Sequence, residues 1–594
     1  MLEWQALVLL LLMSPDRPPQ HRESIIVTGT FEAIPLEETD RAVTVIPLDA
    51  ARRLLVPSVV DLLRLDPSLD LRSRAPGGAQ ADLSIRGGTF GQTLVLLDGL
   101  RLNDPQSGHH NLDIPVPPDA VERIELLKGA GSAYYGSDAL GGAINVITRE
   151  PEAAELRLRA AVGNFGTNRQ SGVAGLVWGA ATQQFTFSRD FSSGFAPDRD
   201  YRNLSLASVT RVRTGLGNTR AVLAHTDRPF GADQFYGNFN SWERTRTWFA
   251  GVRQELGDRM DASFGYRRHT DLFVLYRDRP AVYTNRHAAE SWQAAIRRRE
   301  PLAPNVSLAW GAEGYRDAIR STGLGNHERN RGAGYAALEA RALRRFSLVA
   351  AGREEFFPGG RKFSPTASAG YWASSHLKLR ASAGGAFRIP SYTELYYHDP
   401  ANQGSPDLRP EKAWSYDGGL DVYAAGGRVR AGATVFHRRE RDGIDYVRLS
   451  PGDIWRAANF ERLNFTGVET LLAVRLRRSQ SLEVRYTGLH GSRDFRDGVE
   501  SKYVFNYPSH NATATWEGWL PGGLLGRVRT SLLDRRARNT YAVWDASLAR
   551  ARSRLRPFIQ LSNISGTSYE EVPGVRMPGR SVTGGVELVL AGRN

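Results

Sequence analysis

The chain has no cysteine among its 594 residues, which excludes disulfides and thiolate metal sites and suits passage through an oxidising compartment. After its first residues it also has no apolar run approaching the ~20 residues that a membrane-crossing helix needs. With a mean hydropathy of −0.38, a helical membrane protein is excluded. Lysine is scarce, with Lys128 and Lys362 among the few, yet Lys and Arg together number 77 against 63 acidic residues. The resulting formal charge of +14 raises a nucleic-acid reading. The basic residues are spread along the chain, however, and no finger, helix-turn-helix or ribonucleoprotein motif accompanies them, so no nucleic acid is expected as a partner. Arginine richness then reflects genome composition or, functionally, arginines facing the phosphates of an anionic membrane leaflet. No Ser–His–Asp order, paired-carboxylate site or phosphate loop stands out, and an enzyme is not expected.

The N-terminus, MLEWQALVLLLLMSP, has an apolar core from Ala6 to Met13, as a secretory signal does; residues 1–20 are assigned to it. Glu3 stands where such signals carry a basic residue. The following MSPDRPPQHR is proline-rich and reads as disordered. Then comes ESIIVTGTF, Glu23 to Phe31, whose β-branched residues suit a strand although no hairpin partner is evident beside it. Such a strand is either an edge of the next domain or awaits a sheet from another protein.

Two regions of different grammar follow. Residues 58–150 read as a small mixed domain. In SVVDLLRLDPSL the apolar residues at Val59, Val60, Leu62, Leu63 and Leu65 make a short helix stopped near Pro67. DLSIRGG, TLVLLDGLRL, VERIELLKG and GGAINVITR are short strands punctuated by glycine turns. From 151 to 594 a period of two recurs. Leu377, Leu379, Ala381 and Ala383 oppose Lys378, Arg380 and Ser382; Leu482, Val484 and Tyr486 oppose Glu483, Arg485 and Thr487; Val582, Val586, Leu588 and Leu590 align. Strands of this kind place one face in an apolar and the other in a polar setting. Tight links such as ELGDRM and EPLAPN alternate with long polar stretches such as RDFSSGFAPDRDYRN and YYHDPANQGSPDLRPEK, the signature of a transmembrane barrel. About 440 residues at ~20 per strand and loop make ~22 strands.

SVVDLLRLDPSLDLRSRAPGGAQADLSIRGGTFGQTLVLLDGLRLND, continued by AVERIELLKGAGSAYYGSDALGGAINVITR, resembles the plug domain of TonB-dependent outer-membrane receptors, and FRIPSYTELYY and GSPDLRPEKAWSYDGG resemble barrel landmarks of that family. The resemblance implies a membrane all-β fold: a 22-stranded antiparallel barrel, residues 151–594, with the mixed α/β plug inside its lumen. It also implies active uptake across the bacterial outer membrane by a monomer in contact with outer-membrane lipid. The family usually ends on an aromatic residue, whereas this chain ends VELVLAGRN. The unpaired strand lies where the family keeps its TonB box, with residues 21–57 as box and linker. Ser24, Ile25, Ile26, Val27 and Thr28 are thus implied to pair with a sheet edge of TonB in the TonB–ExbB–ExbD energy-transducing complex, by β-augmentation.

Arg86-Gly87 fits the family's arginine-glycine motif, a charged clasp between plug and wall. A buried guanidinium requires carboxylates, for which Glu122 and Glu125 are candidates, reading as one face of their strand, alongside carboxylates of the barrel. The apical loops of the plug offer Gln80, Phe90, Gln92, Gln106, His109, His110 and Asn111 to a large polar ligand. The adjacent histidines are read as ligand-contacting or solvated, since no further ligand is spaced to complete a metal site with them. Asp198 and Asp200 flank Arg199 and are the candidates for calcium, which some cobalamin receptors of the family use; no other cofactor is implied. The compact size of the chain, the placement of the box directly before the plug, and the wording of the plug resemble the cobalamin-receptor branch, with ferric siderophore uptake as the alternative. A passive porin is disfavoured because a plug would block its lumen, and a signalling receptor because its extra periplasmic domain finds no room before the box.

Overall fold

The computed structural model of the chain describes residues 25–591 except 50, 344, 461, 478, 495–498 and 536–537. The expected signal segment, the proline-rich lead and Ser24 lie outside the described residues, as do the last three positions.

A closed barrel of 22 antiparallel strands runs from Glu155–Gly163 to Ser581–Ala591, and these two strands pair with each other to close it. The alternation seen in the sequence is the division between lipid and lumen. Leu379 is 42% exposed on the outer surface, while its neighbour Lys378 is 1% exposed and turned inward. Val586 and Leu588 likewise face outward around the buried Glu587. An inward-facing residue in such a strand meets the lumen, where an inner domain fills the space. Turns at the end where both termini lie are short, as at 179–180, 215–216 and 257–259, whereas 389–410, 442–460 and 563–580 at the opposite end carry structure of their own. Short periplasmic turns and long extracellular loops orient the barrel.

The inner domain is a five-stranded mixed sheet. Thr93–Leu97 lies parallel to Gly142–Thr148, which pairs antiparallel with Val121–Lys128. That strand pairs in turn with Val43–Pro47. The domain therefore begins before the expected residue 58, because Val43–Pro47, assigned to a linker, supplies an edge of its sheet. A second ladder joins Leu69–Ser73 to Ala81–Ile85. The expected helix, Val59–Leu63, is capped by the Ser58 side chain, which accepts from the Asp61 N–H. Its Leu62 and Leu63 pack with Ile124, Leu126, Ile144 and Val146 in one buried core.

Candidate functional site

The inner domain is fastened to the wall mainly through charge. Arg86 sits at a φ of +51° and projects its guanidinium into the barrel. It donates to both Glu469 oxygens, at 2.7 and 3.0 Å, and to Asp417 at 2.5 Å, with the Phe436 ring 4.2 Å away. Gly87 follows at a φ of +77°, where a Cβ would lie 2.8 Å from Leu489 and 2.9 Å from Phe465; only glycine takes that backbone at such close approach. The clasp is therefore built from Arg86, but its partners are barrel carboxylates rather than Glu122 or Glu125. Those two are three apart in a strand whose faces alternate every residue, so they do not share a face as expected: Glu122 is exposed and Glu125 fully buried.

Further pairs run mostly the other way, from basic residues of the barrel to carboxylates of the inner domain: Arg535 to Asp70 at 2.6 Å, Arg267 to Asp104 at 2.8 Å, Lys378 to Asp40 at 2.9 Å and Arg159 to Asp119 at 3.2 Å. Much of the arginine content thus has an inward role that composition alone did not reveal. Asp66, held between Lys128 and Arg485, has its carboxyl far below the ordinary range: burial raises it, and the two cations outweigh burial.

Glu125 has a different task. It accepts from the backbone N–H of Val27 at 2.9 Å and of Thr28 at 2.8 Å, while the Tyr135 hydroxyl accepts from Gly29 N–H at 2.9 Å. Ile25–Ile26 is not the unpaired strand expected, because it forms a two-residue ladder with Ile34–Pro35. Phe31 then lodges between Tyr134 and Tyr335, ring centroids 4.8 and 5.6 Å away. This hairpin stands in the periplasmic mouth beside a cavity of about 480 Å³, whose lining includes Tyr134, Tyr135, Arg220, Arg253 and Arg297.

At the extracellular apex the seven predicted contact residues divide. Phe90 and His109 stay partly exposed and stack at 4.2 Å, with the Tyr503 ring edge-on to Phe90 at 5.1 Å. Burial holds the His109 imidazole below its ordinary pKa, opposed by Asp82, whose carboxylate lies 2.6 Å from Nδ1. The other five are buried and already engaged. Gln92 donates to Glu411 and Glu440 at 3.2 Å each, the Gln80 amide lies 3.0 Å from the Tyr236 hydroxyl, and Asn111 bridges Phe90 O and Asp104 N–H. Gln106 donates to Asp271 at 3.0 Å. His110 is not solvated: its Nε2 lies 3.5 Å from Asp271, and its ring centroid is 4.7 Å from that of His269. Burial disfavours its charge, but Asp271, Asp113 and Asp104 outweigh burial and push its pKa up to about 10.

The loops supply what sequence reading missed. The extracellular sheet that includes Gly443–Arg448 and Trp455–Phe460 carries Tyr446 and Trp455, and the Lys502 ammonium lies 5.5–5.8 Å from the rings of Tyr446, Trp455 and Tyr503. Arg448 lies over Trp455 at 4.3 Å, and the Tyr446 hydroxyl donates to Thr393 O in the neighbouring loop. Aromatic rings and cations thus lie together beside Phe90 and His109, which Tyr503 meets edge-on, a combination whose chemistry suits flat and anionic groups. Asp198 and Asp200 do converge, but on a side chain: Arg277 donates to Asp198 at 3.1 Å and to Asp200 through both terminal nitrogens. The guanidinium holds the place expected for calcium.

The sequence matches the model of the TonB-dependent Receptor Plug Domain family over residues 35–143 and that of the TonB dependent receptor-like beta-barrel over residues 133–586. It is 24% identical to the vitamin B12 transporter BtuB of Vibrio vulnificus over 487 residues, 76% of this chain and 75% of that protein. It is 25% identical to the iron-regulated outer membrane virulence protein of Vibrio cholerae over 571 residues, 83% of this chain and 82% of that protein. The siderophore receptor PirA of Acinetobacter baumannii superposes with a TM-score of 0.77 at 15% identity, covering 92% of this chain and 98% of that one.

Proposed function

This chain belongs to the TonB-dependent receptors of the bacterial outer membrane, transporters that bind large ligands and interact with TonB, and on that premise we propose that its cargo is cobalamin. Similarity to a vitamin B12 transporter across three quarters of the chain supports this. The observation that carries the mechanism is a lumen filled by a pinned plug that offers Phe90, His109 and Tyr503 outward and a short β-hairpin inward. Cargo settles on the aromatic apex. TonB captures Ser24 to Thr28 by pairing along Ile25–Val27, which requires that strand to leave Ile34–Pro35 and Glu125 to release two N–H groups. Work delivered along the strand by TonB–ExbB–ExbD then reaches the plug sheet through the chain from Pro35 to Val43.

A ferric siderophore is the second reading, favoured by Lys502 and Arg448 among the loop aromatics, which suit an anionic, ring-bearing complex. Equilibrium binding of cyanocobalamin to the detergent-folded protein, with ferric siderophores as competitors, separates the two. Saturable binding of cobalamin that siderophores do not displace is the expected result. Binding of a siderophore alone moves the cargo to the second reading.

A further inference from the structure

Beneath the aromatic apex the barrel wall and the plug bring together His110, Glu243 and Asp271, each able to offer one ligand atom, and these atoms lie within 4.8 Å of one another. Glu243 is 1% and Asp271 6% exposed, and they stand on neighbouring inward-facing strand positions near the extracellular loops. The Glu243 Oε2 accepts from Tyr236 at 2.6 Å, and the Asp271 Oδ2 accepts from Gln106. Their other oxygens, Glu243 Oε1 and Asp271 Oδ1, have no hydrogen-bond partner among the described residues, and neither has Gln106 Oε1. Orphaned acceptors at this depth are costly, more so on charged groups, and two of the three, on Glu243 and Asp271, belong to the group itself. In the neighbouring group of His110, Asp113 and His269, by contrast, Asp113 is already held by Arg228 at 3.2 Å and His269 at 2.9 Å.

We propose that His110, Glu243 and Asp271 form a site for a divalent transition-metal ion of the zinc class, which ties the plug apex to the barrel wall. Imidazole and two carboxylates are a borderline donor set suited to Zn²⁺ rather than to calcium or magnesium, which prefer oxygen alone. Bond lengths of about 2.1 Å put neighbouring donors of a tetrahedral zinc about 3.4 Å apart, and His110 Nε2 already lies 3.5 Å from Asp271. Two carboxylates and a neutral imidazole balance the ion's charge. The imidazole becomes a ligand on giving up its proton, as metal binding requires. Gln106, whose amide touches Asp271, is placed to support the fourth position. The site does not depend on which cargo is carried.

The test is a titration of chelator-treated, detergent-folded protein with ZnCl₂, and in parallel with CaCl₂, without cargo. One Zn²⁺ per chain is expected, bound at least ~10-fold more tightly than Ca²⁺. The E243Q/D271N variant, which removes two ligands rather than an outer partner, should lose at least ~100-fold in Zn²⁺ affinity, while H376A, which removes an exposed histidine at the periplasmic end, should lose none. Heat-dependent gel migration verifies that each barrel is folded. For any variant that fails to fold, Co²⁺ absorption of the parent protein reports the same ligand set, with the visible bands of a tetrahedral centre expected. No saturable Zn²⁺ binding by the folded parent, unchanged affinity in folded E243Q/D271N, or a Co²⁺ spectrum of the hydrated ion each overturns the proposal.

Discussion

Around Arg86 the plug is fastened to the wall by buried charges of both partners, whereas around Ile26 the N-terminal hairpin is held by a two-residue ladder, the Glu125 carboxylate, the Tyr135 hydroxyl and the seat of Phe31. The first attachment joins residues more than 300 positions apart and leaves no charge of the clasp exposed. The second is local, since a two-stranded ladder of this size has little stability of its own and Glu125 supplies much of its hold. A pull entering at the hairpin therefore meets the weak attachment first. The clasp resists until the plug itself is strained.

The sharpest way to break the contrast is Arg86→Ala, which leaves Asp417 and Glu469 buried without a cation. A loss of about 3–5 kcal/mol is expected, read as earlier denaturant exposure of the plug to protease while the barrel stays folded. Adding D417N and E469Q should recover part of it; an unchanged R86A plug would mean the clasp carries no load. Glu125→Gln acts on the other attachment. It weakens two charge-assisted hydrogen bonds by about 1.5–3 kcal/mol in all, so hydrogen exchange at Val27 and Thr28 should rise and the TonB periplasmic domain should bind about 10- to 150-fold more tightly. Val27→Pro should abolish TonB-dependent uptake while leaving cargo binding unchanged, because it removes a donor from the pairing strand. Tyr503→Ala, at neither attachment, should weaken cargo binding by about 1 kcal/mol or roughly fivefold, with no change in plug stability. The smallest effect belongs to D198N/D200N: the pair with Arg277 is about one-third exposed, so stability should fall by under about 1 kcal/mol and cargo binding should not respond to calcium.

The barrel and the plug strands were legible because a period of two is written locally, and a residue's face follows from its parity. The arginine-glycine turn was legible through its resemblance to the family's motif, but the partners of Arg86 were not. Asp417 and Glu469 are set by which strands of a closed barrel face that turn, and nothing beside Arg86 encodes this. His110 shows the same limit. Read with its neighbours it lacked further ligands, yet Glu243, Asp271 and His269 reach it from barrel strands that begin more than 100 residues later. Gln92 and Asn111 were taken for ligand contacts because amides in apical loops are ordinarily exposed. Here Gln92 closes a capping box with Thr89, a three-residue spacing that a reading of polarity alone passes over, and the Asn111 amide ties its loop to Asp104 and Phe90. The strand at Ile25 was judged single because its partner, Ile34–Pro35, is only two residues long.

The inward arginines bear on how the plug can move at all. An apolar seam between plug and wall would expose hydrocarbon to water whenever it opened, at about 25 cal/mol for each Å². Ions separated into water recover the hydration they gave up on folding. A seam such as Arg535–Asp70, Arg267–Asp104 and Lys378–Asp40 can therefore part while water takes the place of each counter-ion. Were the seam to open under a pull, the same side chains would line a wetted passage rather than an apolar one.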